Sequence, residues 1–298
     1  MSAASPHPGS ASGAATCLCT PFVRYGERFY LLRLVWPFTL PLRRYVIREP
    51  LTTFKRFVIR RVLPAMLPAP PAGLLALLPG GGKVKIDYSE EIAMHLLLHG
   101  AYEAAEIESL PAFAKPGSTV IDVGANIGMY TILLSTAVGE AGAVLAFEPI
   151  PRTLEKLRSN IALNGLTNVT VIAAAAADTA GVVAIQLASD SAYPSLVRVK
   201  PTRSTGESLT IPSVTIDQVW EERKRPMISF CKIDVEGAEL LVLKGAENVL
   251  RACRPALLLE ADAGPFLDSM VSWLAERGYK QLRPAGFVPW NHLFVWGG

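Results

Sequence analysis

Cysteine and histidine are both scarce, with four of each in 298 residues. Cys17, Cys19, Cys231 and Cys253 are too few and too scattered to staple a chain of this length, so a reducing compartment is expected rather than a disulfide framework. Cys17 and Cys19 form a C-x-C pair with no second pair or nearby histidine, which speaks against zinc. His95 and His99 lie four apart on an expected helix, but no third ligand accompanies them and they read as ordinary helix residues. No uncharged apolar run is long enough to cross a bilayer, and residues 1–20 have neither the charged start nor the apolar stretch of a secretory signal.

What is present is a chain 50% hydrophobic and only 18% charged, ample for one large domain with an extension. The charge is unevenly placed. Between Pro21 and Met66 ten Lys/Arg face two Glu, a local balance of +8, and the total of +3 leaves −5 from Leu67 onward. The C-terminal part is therefore mildly acidic, which argues against a nucleic-acid partner. Composition divides the chain into a disordered Ala/Ser/Gly/Pro tail over 1–20, a basic and aromatic extension with its connector over 21–82, and the main domain over 83–298. In the extension Leu51, Phe54, Phe57, Val58 and Val62 share one helical face while Lys55, Arg56, Arg60 and Arg61 lie largely on the other. Residues 51–63 suit peripheral contact with an anionic membrane surface, and suit equally a helix docked on the domain with its charges in water. A cytoplasmic protein is expected, with a membrane surface as its one candidate attachment.

From Lys83 the local patterns become regular. Residues 83–88 alternate as a strand, and Ser89 with Glu90 and Glu91 opens a helix through His99. From Pro116 strands at 119–123, 144–147, 169–175, 228–233 and 256–259 alternate with helices at 127–138, 151–163, 238–250 and 265–277. One departure interrupts them: 181–187 and 209–214 read as an antiparallel pair around a Ser/Pro-rich loop, before a helix at 216–222. Two strands, 279–283 and 292–296, close the chain. This rhythm predicts an α/β fold, a doubly wound, mostly parallel Rossmann-like sheet with helices on both faces and an N-terminal extension.

Ligands of such sheets bind beyond the carboxyl ends of the strands, and the stretch from Ser118 to Tyr130 is a strand, a tight turn and a helix start. The turn holds Gly124, Ala125, Asn126 and Gly128, a spacing that lacks the middle glycine of a dinucleotide fingerprint. Asp122 would repel phosphates and suits the ammonium of a methionine moiety, while Glu148 ends the next strand where an acid can take both hydroxyls of a ribose. Both ends fit S-adenosylmethionine. Neither an acid nor a glycine is expected here for packing alone.

Asp122-Val-Gly-Ala-Asn-Ile-Gly128, Ala146-Phe-Glu-Pro149 with Pro151, Asn160-Ile-Ala-Leu-Asn164 and Lys232-Ile-Asp-Val-Glu-Gly-Ala-Glu239 resemble the FkbM-type family of S-adenosylmethionine-dependent methyltransferases. The resemblance runs from about Asp87 to about Asp262. It implies the class I methyltransferase sheet of seven strands with the last inserted antiparallel, and methyl transfer to oxygen on a sugar or a natural-product hydroxyl. Gly100-Ala-Tyr-Glu103 is similar to a family Gly-x-Tyr-Glu, which implies that Glu103 closes over the methionine end of the cofactor.

Further acids stand at strand ends: Asp178, and after the later strands Asp234, Glu236, Glu260 and Asp262. Asp178 is placed to reach the adenine amino group. Asp234 and Glu236 are the candidate catalytic residues, as base or acceptor-orienting group, with Lys232 as a partner for one of them. No metal is assigned, although Asp234, Glu260 and Asp262 have a spacing compatible with Mg²⁺. The Asn/Asp-Pro-Pro-Tyr signature of base N-methylation is absent. The expected function is O-methylation of a small-molecule, sugar or glycan-like acceptor. A NAD-dependent oxidoreductase and a non-catalytic cofactor-binding protein at a membrane are the alternatives.

Overall fold

A computed structural model describes residues 74–87, 92, 102–188, 195–196 and 204–298. The tail, the amphipathic stretch 51–63, nearly all of the helix expected at 89–99 with His95 and His99, Gly100, and residues 189–194 and 197–203 of the Ser/Pro-rich loop lie outside the described residues.

The order begins with a hairpin of β1 (Leu74–Leu77) and β2 (Lys83–Ile86), so a strand occupies part of the expected connector. It continues through α1 (Ala104–Phe113), β3 (Thr119–Val123), α2 (Met129–Val138), β4 (Ala143–Phe147), α3 (Pro151–Leu163) and β5 (Val169–Ile172). Four strands and a helix follow: β6 (Ala175–Ala176), β7 (Gly181–Ala188), β8 (Ser195–Leu196), β9 (Ser204–Val214) and α4 (Ile216–Glu222). Then come β10 (Ile228–Ile233), α5 (Glu239–Lys244), α6 (Glu247–Cys253), β11 (Ala256–Glu260), α7 (Pro265–Ala275), β12 (Tyr279–Leu282) and β13 (Asn291–Trp296).

The main sheet has seven strands in the order β12-β13-β11-β10-β3-β4-β5. The five from β11 to β5 run parallel, and β13 lies antiparallel between β11 and β12, the predicted insertion. Its two faces follow the period of two along each strand. Ile121, Val123, Leu145, Phe147, Cys231, Ile233, Leu257 and Leu259 pack on α4 to α7. Val120, Val144, Phe230 and Leu258 pack on α1, α2 and the hairpin. Asp122 and Lys232 are register partners on neighbouring strands, and alternation puts both on this second face.

Two elements differ from the sequence expectation. The strand expected over 169–175 divides, Val169–Ile172 pairing with β4 and Ala175–Ala176 with β9 in a separate sheet of order β6-β9-β7-β8. The helix expected over 238–250 breaks between α5 and α6, where a Cβ on Gly245 would stand 1.9 Å from the Ala177 carbonyl oxygen. That close approach requires a residue without a Cβ at the break. Across the break, the Asp217 carboxylate accepts from the Asn248 and Val249 N–H groups, each at 2.9 Å, and so caps α6 from α4.

Candidate active site

The carboxyl ends of β3, β4, β10 and β11 meet along one edge of the main sheet. At the end of β3 the Gly124 and Ala125 N–H groups both donate to the Phe147 carbonyl, at 3.0 and 2.9 Å, which ties the turn to β4. Gly124 has φ +77°, and a Cβ there would lie 1.8 Å from the carbonyl oxygen of Asp234. Packing alone therefore demands this glycine, contrary to the sequence expectation. Gly128, with φ +96°, opens α2 where a Cβ would lie 2.6 Å from Leu157.

Asp122 is 1% exposed, and its carboxylate accepts from the Thr131 hydroxyl at 2.5 Å, joining β3 to α2. Burial pushes its pKa up to about 6, against the pull of Thr131 and of the Lys232 charge. Glu148 is also buried. It accepts from the Ile150 N–H at 2.8 Å and from the Asn126 N–H at 3.0 Å, one bond to each oxygen. Asn126 takes φ +51° to present that N–H. Burial again dominates and raises Glu148 to about 7.

Lys232, 2% exposed, reaches Asp234 at 3.2 Å and Glu260 at 3.9 Å, and its ammonium lies 5.1 Å from the centroid of the Tyr130 ring. Burial disfavours its charge, but Asp234, Glu103 and Glu260 outweigh burial and hold it protonated. Asp234, Glu236 and Glu260 each bring a carboxylate oxygen within 4.8 Å of the others. A cation can serve three oxygens so close, and Lys232 supplies one beside two of them. Asp262 does not join this group. Burial first, then Asp234 and Glu236, push Glu260 up to about 9. Glu239, buried in the first turn of α5, accepts from the Val235 and Gly237 N–H groups at 3.1 Å each and so braces the turn carrying Glu236 at φ +54°.

Glu103 stands at the start of α1 with φ +44° and accepts the Tyr130 hydroxyl proton. One turn on, the fully buried Glu106 accepts from the Val288 N–H at 2.6 Å and pins the segment between β12 and β13. Asp178 lies just beyond β6 and is exposed; Thr179 donates to it at 3.5 Å. Thus the fold gathers Asp122, Glu103, Asp234 and Glu260 around Lys232 and Tyr130, brings Glu236 beside Asp234 and Glu260, and sets Glu148 against Asn126, while Asp178 stands on the smaller sheet's side. Sequence patterns did not single out Tyr130, Thr131 or Glu239. Glu239 ends the Lys232–Glu239 motif, which was a signal; the other two lie inside an apolar helix and had none.

The pattern of the methyltransferase FkbM domain matches residues 122–280. The chain belongs to the FkbM methyltransferase family. Among curated proteins, hexuronic acid methyltransferase AglP of Haloferax volcanii is 31% identical over 165 residues, covering 55% of this chain and 64% of that protein. The 31-O-demethyl-FK506 methyltransferase FkbM of Streptomyces tacrolimicus is 30% identical over 161 residues, covering 45% of this chain and 61% of that one. The match thus spans less than two thirds of either relative's length. Among solved structures, methyltransferase FkbM from Methylobacillus flagellatus is 19% identical with a TM-score of 0.44, over 70% of this chain and 53% of that one.

Proposed function

We propose that this FkbM-family chain is a methyltransferase that uses S-adenosylmethionine and acts on a hydroxyl oxygen of a small molecule or carbohydrate. The observation that carries the reading is the pairing of two acid sites along one sheet edge: buried Glu148 against the glycine turn, and the cluster of Asp234, Glu236 and Glu260, two of which Lys232 reaches. The residues present fit the cofactor. Each Glu148 oxygen accepts one N–H and keeps a lone pair for a ribose hydroxyl. Asp122 and Glu103 bring negative charge toward the ammonium end, and Asp178 is assigned to the adenine edge. When bound, the cofactor supplies a methyl group already activated on a sulfonium.

The chain's own work is then to orient the acceptor and take its proton. Asp234 and Glu236 orient the hydroxyl, and Lys232 holds Asp234 in place at 3.2 Å. Burial pushes Glu260 up to about 9, which suits it to take the proton as the new bond forms. The names of the two curated relatives, one for a hexuronic acid and one for 31-O-demethyl-FK506, support an oxygenated acceptor.

Thermal melting with S-adenosylmethionine, S-adenosylhomocysteine and NAD in parallel tests the cofactor. At about a hundredfold excess over Kd the two sulfur ligands are expected to raise Tm by about 5–10 °C, an effect lost in Glu148→Ala. A rise with NAD alone would overturn the reading in favour of an oxidoreductase.

A further inference from the structure

Two asparagines of the resembling motifs, Asn160 and Asn164, take no part in the chemistry above, yet both make long-range contacts. They lie four apart, Asn160 in the last turn of α3 and Asn164 capping its C-terminus, and face the outer edge of β2. The Asn164 Oδ1 accepts from the Lys83 N–H at 2.7 Å, and its Nδ2 donates to the Lys83 carbonyl at 2.6 Å. Asn160 repeats this on Lys85, its Oδ1 accepting the N–H at 2.8 Å and its Nδ2 donating to the carbonyl at 3.2 Å. The spacing has a geometric cause. Four helical residues rise about 6 Å, and two strand residues advance about 6.8 Å, so two carboxamides can serve alternate peptide units of one strand. Lys83 and Lys85 point these units away from β1, and the asparagines satisfy an edge that would otherwise be open.

The two differ in one contact. The Nδ2 of Asn160, 1% exposed, also donates to the Ile127 carbonyl at 2.8 Å, inside the turn between Gly124 and Gly128. The second contact of Asn164 Nδ2 is the Asn160 carbonyl of its own helix, at 2.7 Å. Asn160 alone therefore joins the hairpin to the turn. That turn presents the Asn126 N–H to Glu148, and Ile127, itself buried, stands between Asn126 and Gly128.

We infer that Asn160 is a positioning residue for the cofactor turn, coupling the β1–β2 hairpin to the backbone that sets Asn126 against Glu148. This rests on the reading of the turn as the S-adenosylmethionine site. Without the carboxamide the Ile127 carbonyl is a buried acceptor lacking this donor, and the turn can leave its geometry to find another. The hairpin then acts as a back support of the cofactor site through Asn160.

The full chain is compared with Asn160→Ala and Asn164→Ala by calorimetric titration with S-adenosylhomocysteine, with Tm and hydrogen exchange of residues 122–131 recorded alongside. Both substitutions loosen the hairpin and are expected to lower Tm. Asn160→Ala is expected to weaken binding at least tenfold and to speed exchange in the turn, while Asn164→Ala changes affinity less than about threefold. Asn160→Asp, which keeps the Lys85 N–H bond and loses both donations, serves if the alanine variant does not fold, and should match it in affinity and exchange. Equal weakening by both alanine variants, or unchanged affinity with unchanged exchange in the Asn160 variants, overturns the inference. If the wild type binds neither S-adenosylmethionine nor S-adenosylhomocysteine, the cofactor assignment falls with everything that rests on it. In that event exchange in the turn still decides whether Asn160 holds it.

Discussion

Burial raises the proton affinity of Asp122 to about 6, of Glu148 to about 7 and of Glu260 to about 9. For Glu148 the folded state binds a proton more tightly than the unfolded chain, so its contribution to stability is full below about 4.5 and is lost as pH rises to about 7. Urea unfolding should show wild-type stability falling over that window by up to about 1.4 kcal/mol per pH unit for this group, with a shallower slope in Glu148→Gln. Cofactor affinity should rise over the same window, because ribose hydroxyls need an ionised acceptor. Glu260 loses its proton only near pH 9, so methyl transfer is expected to accelerate toward that pH and the alkaline rise to vanish in Glu260→Gln, as read from rate profiles. Acids at strand ends were visible in the sequence; their proton affinities were not, because these depend on burial and on neighbours from other strands.

At the scale of elements, turns and helix ends carry the constraints. Gly124→Ala would place a methyl 1.8 Å from the Asp234 carbonyl at a φ of +77°. The left-handed backbone costs about 1–2 kcal/mol and the overlap forces β3 and β10 apart, so a loss above about 3 kcal/mol is expected in denaturant unfolding. Element order was legible because hydrophobic period and turn chemistry are local. The helices Pro151–Leu163 and Ile216–Glu222 and the strand Ile228–Ile233 stand where the sequence put them. The need for glycine at the Gly245 break was illegible, since the atom a Cβ would strike is the Ala177 carbonyl oxygen, 68 residues away by their numbers. The reading of Gly124 as a ligand-binding glycine missed a second role for the same reason: Asp234 approaches it from another strand.

For the whole molecule, the net positive charge belongs to Pro21–Met66 and a net negative charge to Leu67 onward. Such a division predicts that any binding to anionic vesicles comes from the basic stretch: reversing Arg56, Arg60 and Arg61 to Glu should reduce co-sedimentation, and unchanged pelleting would exclude that face. Among the described residues no helix is long and apolar enough to cross a membrane.

Sequence by itself determined the alternation of strands and helices, the glycine turn after β3 and the presence of an acid at or near the carboxyl ends of β3, β4, β10 and β11, since each depends on residues within a few positions of one another. Tertiary structure decided which of those acids meet. Glu260 joins Asp234 and Glu236 whereas Asp262 does not, and Lys232 becomes the shared counter-ion of Asp234 and Glu260 because β10 lies beside β11. Asn160 finds Lys85 across 75 residues of chain. Strand order and burial create these contacts, and neither can be read from a local pattern.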